Sequence, residues 1–381
     1  MNRITIALAL LFVIGTLVCQ AQPGTLQTFS FRGVERCYWQ YIPPSYRGDR
    51  PVPLLLALHG TGGSGQRHAE DTRYDLLADS DTFIVVHPSG YPYENPCPLD
   101  TCMHKWNNKF TSGPLNYPDA EYLLALIDVM SSSFRIDSSR VYLSGFSNGA
   151  SMAMRMACEH PERFAAIAAH SGLWLCAEDG ISGEAEFDCR PAERIPFQFS
   201  VGELEPISLT GRDTADVQCR TFWQASNRCF RFTSDTIPVL TATVVRREFL
   251  DCAADTCRPA LSTQFNTILR TSHGWRSVNS QLAWDFLKRY RRSCTGTATN
   301  IRSERPMPSS LERVEVFPNP SRTTCTLRSA SFVHAAVVDI LGREVWRGDI
   351  AGHRELDVSD WAPGMYLLQA GASTSIMMRL P

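Results

Sequence analysis

Residues 141–153 read Val-Tyr-Leu-Ser-Gly-Phe-Ser-Asn-Gly-Ala-Ser-Met-Ala. A run typical of a buried strand leads into a run typical of a helix, so Ser147 falls in the turn between them. Gly145 and Gly149 flank this serine, and glycine is favoured where a Cβ atom would collide in a tight, strained turn. The pattern predicts that Ser147 is a catalytic nucleophile, and an ordinary turn serine is the alternative.

Strand and helix patterns continue to alternate on both sides of this turn, from about residue 29 to residue 292. Such alternation is typical of parallel strands joined by crossover helices. We therefore predict an α/β fold with a central, mostly parallel sheet. The predicted strands are 52–58, 83–87, 141–144, 165–170 and 196–201, and the predicted helices are 120–133, 148–159 and 277–290.

The base that would activate the serine must be sought further along the chain. A serine hydroxyl becomes a good nucleophile when a base removes its proton, and a carboxylate usually orients that base. For this fold class the chain order is serine, acid, histidine. His273 follows a strand-like stretch over 264–270 and precedes the last helix, so it is the predicted base. His170 is predicted to be structural or to line the pocket.

The acid is expected on a loop after a strand between the serine and the histidine. Residues 196–206, Pro-Phe-Gln-Phe-Ser-Val-Gly-Glu-Leu-Glu-Pro, supply a strand followed by a turn. Glu205 is our candidate, with a solvated turn carboxylate as its alternative interpretation. Asp213 and Glu203 are the next candidates, and Asp251 is a more distant one because its cysteine neighbours indicate a stapled loop.

Attack by serine creates a negatively charged oxygen that needs backbone N–H donors. The residue after the nucleophile usually supplies one donor, so Asn148 is the first predicted donor. Residues 58–65, Leu-His-Gly-Thr-Gly-Gly-Ser-Gly, let the backbone approach substrate closely and predict the second donor at Thr61, or next at Gly62. This loop lacks the Gly-Lys-Ser/Thr ending of a phosphate-binding loop, so phosphate binding is not expected.

Three tryptophans are candidates for an aromatic wall of the substrate site. Trp106, Trp174 and Trp275 could stack on a phenolic acid or a sugar ring. Partly buried core tryptophans are the alternative, and the sequence leaves both interpretations open.

Length and composition set the broad class. The chain has 381 residues, 44% of them hydrophobic and 20% charged, which suits one catalytic domain with a small appendage. The formal net charge is -2, and the sequence has no lysine and arginine cluster with interleaved aromatics. Nucleic acid is therefore not an expected partner.

The first residues predict export. Asn2 and Arg3 precede an apolar run over 4–18, and small residues follow near Ala21, where a signal peptidase would cut. We predict a signal peptide over residues 1–21 and no stable membrane span, because the apolar run is shorter than the roughly 20 residues of a membrane helix. A lipid anchor at Cys19 is a weaker alternative.

Thirteen cysteines, several in close pairs, favour disulfides formed outside the cytoplasm. Their spacing is too wide for a convincing zinc site, so metal binding is not expected. The pairing cannot be read from the sequence, and Cys158, in a helical pattern, is a candidate for a buried free thiol. The close pairs are Cys97 and Cys102, Cys219 and Cys229, and Cys252 and Cys257.

The chain changes character after residue 293. Residues 294–311 are polar and rich in Thr, Ser, Arg and Pro, which predicts a linker between the catalytic domain, 22–293, and a last domain, 312–381. Short strand patterns in the last domain predict a small antiparallel β-sandwich.

The motifs of this last domain are 316–320 Val-Phe-Pro-Asn-Pro, 339–343 Asp-Ile-Leu-Gly-Arg and 363–366 Pro-Gly-Met-Tyr. Their ordered series resembles the type A sorting domain of the type IX secretion system. That resemblance implies a secreted or cell-surface protein that passes through the periplasm and is handled by the type IX secretion machinery. A carbohydrate-binding or adhesive β-module shares the architecture and is the alternative.

Several short sequence motifs occur in order along the catalytic domain. They include Leu58-His59-Gly60, Trp106-Asn107, Arg135-Ile136-Asp137, Gly145-Phe146-Ser147-Asn148-Gly149, His160-Pro161-Glu162-Arg163-Phe164 and His273-Gly274-Trp275. With them, residues 54–290 resemble the secreted feruloyl and acetylxylan esterases of carbohydrate esterase family 1 and short poly(3-hydroxybutyrate) depolymerases.

The resemblance implies an α/β-hydrolase fold and the roles already proposed for Ser147, His273 and Glu205. It implies no metal and no organic cofactor. Two departures stand out: the family commonly has aspartate where Glu205 lies, and its usual Trp-Pro-Gly is replaced at 275–277 by Trp-Arg-Ser. The second departure alters the rim of the pocket and leaves the substrate open.

The sequence thus predicts a secreted serine esterase that acts on ester-bearing polymers. Feruloyl or acetyl esters on plant polysaccharide are the first substrate expectation, and poly(3-hydroxybutyrate) is the alternative. A non-catalytic, exported polysaccharide-binding protein on a hydrolase shell is the competing class. A peptidase on the same fold is less favoured.

Overall fold

A computed structural model of the protein describes residues 24–92, 103–108, 117–172, 189, 191–205, 222–229, 231–253, 257–258, 261–293, 314–317, 321–329, 333–339, 343–370 and 373–379. The predicted signal peptide and linker lie outside the described residues. So do Trp174 and Asp213.

The strands of the catalytic domain form one large sheet and one small ribbon. They are β1 (Thr25–Phe31), β2 (Val34–Tyr41), β3 (Val52–Leu58), β4 (Ile84–Pro88), β5 (Tyr91–Pro92), β6 (His104–Lys105), β7 (Ile136–Phe146), β8 (Ala166–His170), β9 (Phe197–Gly202), β10 (Arg231–Val239), β11 (Ala242–Leu250) and β12 (Thr263–Ile268). The large sheet has ten strands in the order β1-β2-β4-β3-β7-β8-β9-β12-β11-β10, and β5 pairs with β6.

The centre of the large sheet is parallel and its margins are antiparallel. Strands β4, β3, β7, β8, β9 and β12 run parallel to one another. At the margins, β1 pairs antiparallel with β2 and β2 with β4, and β12 pairs antiparallel with β11 and β11 with β10. Every residue of β3, Val-Pro-Leu-Leu-Leu-Ala-Leu, is buried, as expected for a strand covered on both faces. The predicted mostly parallel central sheet is confirmed.

Helices cover both faces of this sheet. They are α1 (Gly65–Thr72), α2 (Tyr74–Asp81), α3 (Asp119–Ser133), α4 (Asn148–Glu159) and α5 (Ser277–Leu287), with a short helix at 222–227. On one face, Leu54 and Leu56 of β3 share a core with α3 and α4. On the other face, Leu55 shares a core with α2 and α5. None of the helices that the structure describes is long and apolar enough to cross a membrane.

The antiparallel margins were not predicted. The hairpin of β10 and β11 has short apolar and polar stretches with no strict alternation, and its outer strand is largely exposed. A half-exposed edge strand needs little burial on either face, so its sequence carries a weak periodic signal.

Two disulfides differ from the expected local pairing. Cys158 bonds to Cys189, which corrects the expectation of a free thiol at Cys158. Cys229 bonds to Cys252 rather than to its sequence neighbours, because the hairpin of β10 and β11 brings its two ends together. Cys257 is also disulfide-bonded.

The last domain consists of two small antiparallel sheets. Its strands are β13 (Glu315–Phe317), β14 (Thr324–Arg328), β15 (Val333–Asp339), β16 (Glu344–Ile350), β17 (His353–Asp357), β18 (Gly364–Ala370) and β19 (Ser373–Arg379). The sheet orders are β13-β14-β17 and β16-β15-β18-β19. Leu327 and Leu356 of the first sheet share one core with Val337 and Leu368 of the second. The predicted small all-β domain is confirmed.

Candidate active site

The sheet order brings the predicted site residues to one edge. Strands β7, β8, β9 and β12 are consecutive neighbours and run parallel, so the loops after their carboxyl ends are adjacent. Ser147 follows β7, Ser171 follows β8, Glu205 follows β9 and His273 follows β12. Ligand and catalytic sites of open α/β sheets usually lie at this carboxyl edge.

Ser147 occupies a strained turn between β7 and α4. Its φ of 53° and ψ of -117° are unusual for a residue with a side chain, and its amide donates to the His170 carbonyl at 2.9 Å. A Cβ atom at Gly145 would lie 2.2 Å from the Gly149 carbonyl oxygen, and one at Gly149 would lie 2.4 Å from the His59 carbonyl oxygen. Both flanking glycines are therefore required by close backbone packing.

His273 lies between the serine and the carboxylate. Its Nε2 is 3.2 Å from Ser147 Oγ, and its Nδ1 is 3.0 Å from Glu205 Oε2. The imidazole packs against the Phe146 ring at 4.9 Å and its side chain is 25% exposed. A solvent-accessible base in hydrogen-bond reach of a hydroxyl is the geometry that general-base catalysis requires.

Glu205 is buried, at 3% exposure. Its other carboxylate oxygen, Oε1, which does not face His273, is hydrogen-bonded to the loops around it. Oε1 accepts hydrogen bonds from Ser171 Oγ at 2.5 Å and from the Gly202 amide at 2.7 Å. Burial alone would raise the pKa of this carboxyl group, but the hydrogen bonds from His273, Ser171 and Gly202 outweigh it and hold the pKa of Glu205 below its usual value. The group is therefore a carboxylate near neutral pH.

The other candidate acids lie elsewhere. Glu203 points to the next loop, where Oε2 accepts from the Arg270 amide at 2.8 Å. Asp251 forms an exposed ion pair with Arg231. Of the candidates within the described residues, Glu205 is the one that contacts His273.

The glycine loop after β3 lies against the serine. A Cβ atom at Gly60 would be 3.2 Å from Ser147 Cβ. The Gly62 amide already donates to the His104 carbonyl at 2.8 Å, and the Gly63 amide to the Gly60 carbonyl at 3.1 Å. Within the described residues no acceptor is bonded to the Thr61 amide.

Asn148 is the first residue of α4, and the first N–H groups of a helix have no acceptor inside the helix. Its backbone amide is therefore available at the N-terminus of the helix, where the helix dipole favours negative charge. The two predicted backbone donors, at Thr61 and Asn148, thus belong to two different segments that both lie next to Ser147.

The tryptophans have different surroundings. Trp106 is 0% exposed, and its indole N–H donates to the His59 carbonyl at 3.0 Å. It therefore offers no face to a substrate, which corrects the expectation of a stacking wall there. Trp275 is half-buried, and its indole N–H donates to Ser280 Oγ at 2.9 Å.

Ser171 is a site residue that the sequence reasoning missed. It holds a positive φ of 55°, is buried, and donates to the Glu205 carboxylate. Its position directly after the strand pattern over 165–170, at the carboxyl edge, was the available signal. His170, expected to be structural, is buried, and burial lowers its pKa to about 4.

Metal binding has no visible basis in the described part of the chain. No group of three or more histidine, cysteine, aspartate or glutamate side chains is arranged there to hold a metal ion.

The sheet order, the strained serine turn and the edge loops define an α/β-hydrolase fold. The chain is similar in fold to the solved structure of native pOPH. The TM-score is 0.50 and the sequence identity is 15%, and the match covers 71% of this chain and 88% of that chain. Residues 36–188 match the family described as esterase PHB depolymerase, and residues 315–379 match the secretion system C-terminal sorting domain. Both resemblances found in the sequence are confirmed by these matches. With this sorting domain, the protein is a secreted or cell-surface protein.

Known relatives match parts of the catalytic domain. A bifunctional acetylxylan esterase/xylanase of Neocallimastix patriciarum is 34% identical over 141 residues, covering 37% of this chain and 18% of that protein. Feruloyl esterase B of Thermothelomyces thermophilus is 31% identical over 153 residues, covering 39% of this chain and 47% of that protein. The chain therefore spans less than half the length of these relatives.

Proposed function

We propose that this protein is an exported serine esterase with Ser147 as nucleophile, His273 as base and Glu205 as the acid. The observation that carries the proposal is the continuous hydrogen-bonded line from Glu205 Oε2 through both nitrogens of His273 to Ser147 Oγ. Two relatives whose sequences match the catalytic segment are an acetylxylan esterase/xylanase and a feruloyl esterase, and this supports ester hydrolysis as the reaction.

Acylation begins at the serine. The ionised Glu205 accepts a hydrogen bond from His273 Nδ1–H, which leaves the lone pair on Nε2 facing Ser147. As Oγ bonds to the ester carbonyl carbon, the hydroxyl proton moves to Nε2 and the carbonyl oxygen becomes an oxyanion. The backbone amides of Thr61 and Asn148 would stabilise that charge.

Collapse of the tetrahedral intermediate breaks the bond to the alcohol. His273 returns its proton to the leaving oxygen, and the acyl group stays on Ser147 as an ester. A water molecule, deprotonated by the same nitrogen, then attacks the acyl carbon. The carboxylic acid leaves and the serine hydroxyl is restored, so the cycle needs no external oxidant, reductant or cofactor.

For substrate, we propose feruloyl or acetyl esters on plant polysaccharide. The matching catalytic segments of an acetylxylan esterase and a feruloyl esterase favour this class. Trp275, half-buried and two residues after the base in the chain, is the aromatic side chain that would contact the substrate. Poly(3-hydroxybutyrate) is the second candidate, because the family that matches residues 36–188 is described by that activity.

Release of acid from three substrates separates these candidates. Purified protein should release ferulate from methyl ferulate or acetate from acetylated xylan, and Ser147→Ala should release neither. Clearing of a poly(3-hydroxybutyrate) film without release from the other two would favour the second substrate. Full activity in Ser147→Ala would overturn the catalytic proposal.

For the last domain, we propose handling by the type IX secretion machinery and a linker over 294–311. A chain ending at residue 311 should keep its ester-hydrolysing activity in a cell lysate and should not reach the medium of a type IX-competent host. The proposal fails if this truncated chain is exported as well as the full chain.

A further inference from the structure

Trp106 is fully buried and bonds to both segments that carry the proposed oxyanion donors. Its indole N–H donates to the His59 carbonyl at 3.0 Å. Its amide donates to Asn148 Oδ1 at 2.7 Å, and its carbonyl accepts from Asn148 Nδ2 at 3.3 Å. One residue therefore bridges the glycine loop and the start of α4.

The loop side of this bridge determines the direction of the Thr61 amide. Gly60 O and the Thr61 N–H belong to the same planar peptide unit, so fixing one fixes the other. The Gly90 amide donates to His59 Nε2 at 3.0 Å, which leaves the proton on Nδ1 to bond Gly60 O at 2.7 Å. Trp106 holds the His59 carbonyl, and the Trp106 ring lies 5.1 Å from the His59 ring.

The helix side of the bridge determines the position of the Asn148 amide. The Asn148 side chain pairs with both backbone polar groups of Trp106, so the first turn of α4 cannot shift without breaking two hydrogen bonds. Both bonds are buried, where a lost partner leaves an unsatisfied polar group.

The segment that carries Trp106 is itself anchored to the body of the domain. The Asn107 amide donates to Asp119 Oδ2 at 2.8 Å. Asp119 is buried and pairs with Arg36, which is also buried, at 2.7 Å. The bridge is therefore tied to a buried ion pair that joins β2 to the start of α3.

We infer that Trp106 is a positioning residue that fixes the separation and direction of the two oxyanion donors. The inference rests on the proposed function, because it assigns these amides to the transition state. Hydrogen-bond donors that already point at the position of the developing charge contribute strongly to the reaction rate. A small misplacement of such a donor lowers the rate about 100-fold.

Trp106→Phe tests this inference, with Trp223→Phe as the matched control. Phenylalanine keeps a six-membered aromatic ring but lacks the pyrrole part of the indole, including the N–H that holds His59. Trp223 is also 0% exposed and stacks on Phe197 at 4.3 Å, and its indole N–H has no hydrogen-bond partner within the described residues. Both variants lose similar buried volume, so they separate positioning from general destabilisation.

The readouts are kcat and KM on p-nitrophenyl acetate and the affinity for an aryl trifluoromethyl ketone. Ser147 adds to that ketone, and the resulting oxyanion occupies the same hole. We expect Trp106→Phe to lower kcat about 10- to 100-fold with KM within about twofold, and to weaken the ketone by a similar factor. Trp223→Phe should change neither. Equal effects of the two variants, or a change confined to KM, would overturn the inference.

Asn148→Ala provides a second test that removes less volume and keeps the backbone amide. It should lower kcat and ketone affinity in the same direction, and the double variant with Trp106→Phe should lose less than the product of the two single losses. Independent, multiplicative losses would contradict a shared bridge. If Trp106→Phe does not fold, the Asn148→Ala result decides alone. Full activity in Ser147→Ala would instead remove the proposed function.

Discussion

The groups assigned to the reaction are of different kinds on the two sides of Ser147. On the side of the glycine loop and α4, the groups assigned to the reaction are backbone amides, and the side chains beneath them, Trp106 and Asn148, are buried supports. On the opposite side the assigned groups are the side chains of His273 and Glu205, carried on loops after β12 and β9. Backbone amides can reach the substrate only where glycines allow tight packing of the chain. Side chains such as those of His273 and Glu205 can act together only where their loops meet in space.

The packing around glycines shows this difference directly. A Cβ atom at Gly149 would lie within 2.4 Å of a backbone oxygen, whereas one at Gly274, next to His273, would meet nothing within 4 Å. The chain beside the nucleophile is therefore intolerant of added atoms, whereas the chain beside the base has room for them. Tight packing returns on that side only below the acid, where a Cβ atom at Gly202 would lie 2.5 Å from the Thr271 carbonyl oxygen.

The largest expected effect is on the side-chain side, at Glu205→Gln. Ser171 and Gly202 both donate to Oε1, so the amide oxygen of glutamine should take that place and its NH2 should face His273 Nδ1. The proton would then move to Nε2 and leave no base for Ser147. We expect kcat/KM to fall about 10³- to 10⁴-fold.

Glu203→Gln is the control for that measurement, because Glu203 lies two residues away and bonds the Arg270 amide. Its kcat/KM on p-nitrophenyl acetate should stay close to that of the wild type. Equal losses in both variants would show that the acid has been assigned to the wrong residue.

The next effect is on the backbone side, at Gly149→Ala. The added methyl group collides with the backbone of 58–59, so the nucleophile turn must shift. We expect kcat to fall about 100-fold and the free energy of unfolding to fall by about 1–3 kcal/mol. Gly274→Ala, measured by the same kinetics and urea denaturation, should change either quantity little. A mild Gly149→Ala would break the contrast between the two sides.

Two buried histidines, His87 and His170, predict an acid-sensitive fold. Burial lowers the pKa of His170 to about 4 and that of His87 to about 3, against about 6.5 in the unfolded chain. The unfolded state then binds more protons below pH 6.5, so stability is complete above that pH and is lost as the pH falls toward the folded values. Each histidine should cost about 2 kcal/mol between pH 7 and pH 5.

Thermal unfolding between pH 4 and pH 8 measures this loss. His87→Gln should be less stable than the wild type at pH 8 but should lose Tm more slowly as the pH falls. Parallel Tm curves for the two proteins would contradict a neutral buried His87.

The smallest effect is expected at Ser171→Ala. Removing its hydroxyl takes one of the hydrogen bonds that lower the pKa of Glu205, so a larger fraction of this carboxyl is protonated in acid. We expect kcat/KM to fall about fivefold near pH 5 and less at pH 8. Ser262→Ala is the control, since Ser262 donates to Glu248 in another buried serine–glutamate pair at 2.8 Å. A loss in Ser171→Ala that does not vary with pH would argue against a role through Glu205.

The sequence predicted the residues of the nucleophile turn, but it did not predict the buried side chains that support the backbone donors. Gly145, Ser147 and Gly149 were predictable because a strained turn admits few residue types. Trp106 was expected at the substrate, because a tryptophan in a sequence does not reveal that its N–H faces a buried carbonyl. Its burial depends on contacts with residues more than forty positions away.

The acid side and the disulfides depend on long-range geometry. Glu205 was one of several carboxylates after a strand, and its hydrogen bond to His273 depends on how the loops after β9 and β12 meet in the fold. Cys229 and Cys252 pair because an unpredicted hairpin joins them, and Cys158 meets Cys189 across 31 residues. Spacing along the chain could not supply these contacts.

Covalent capture of the nucleophile tests the central claim most directly. A fluorophosphonate should bond to Ser147 Oγ with loss of fluoride, because His273 removes the hydroxyl proton, and peptide mass spectrometry should find the phosphonyl group on the peptide that contains Ser147. Ser147→Ala should take up none, and His273→Ala should react far more slowly. Labelling at another residue, or equal labelling of Ser147→Ala, would contradict the account.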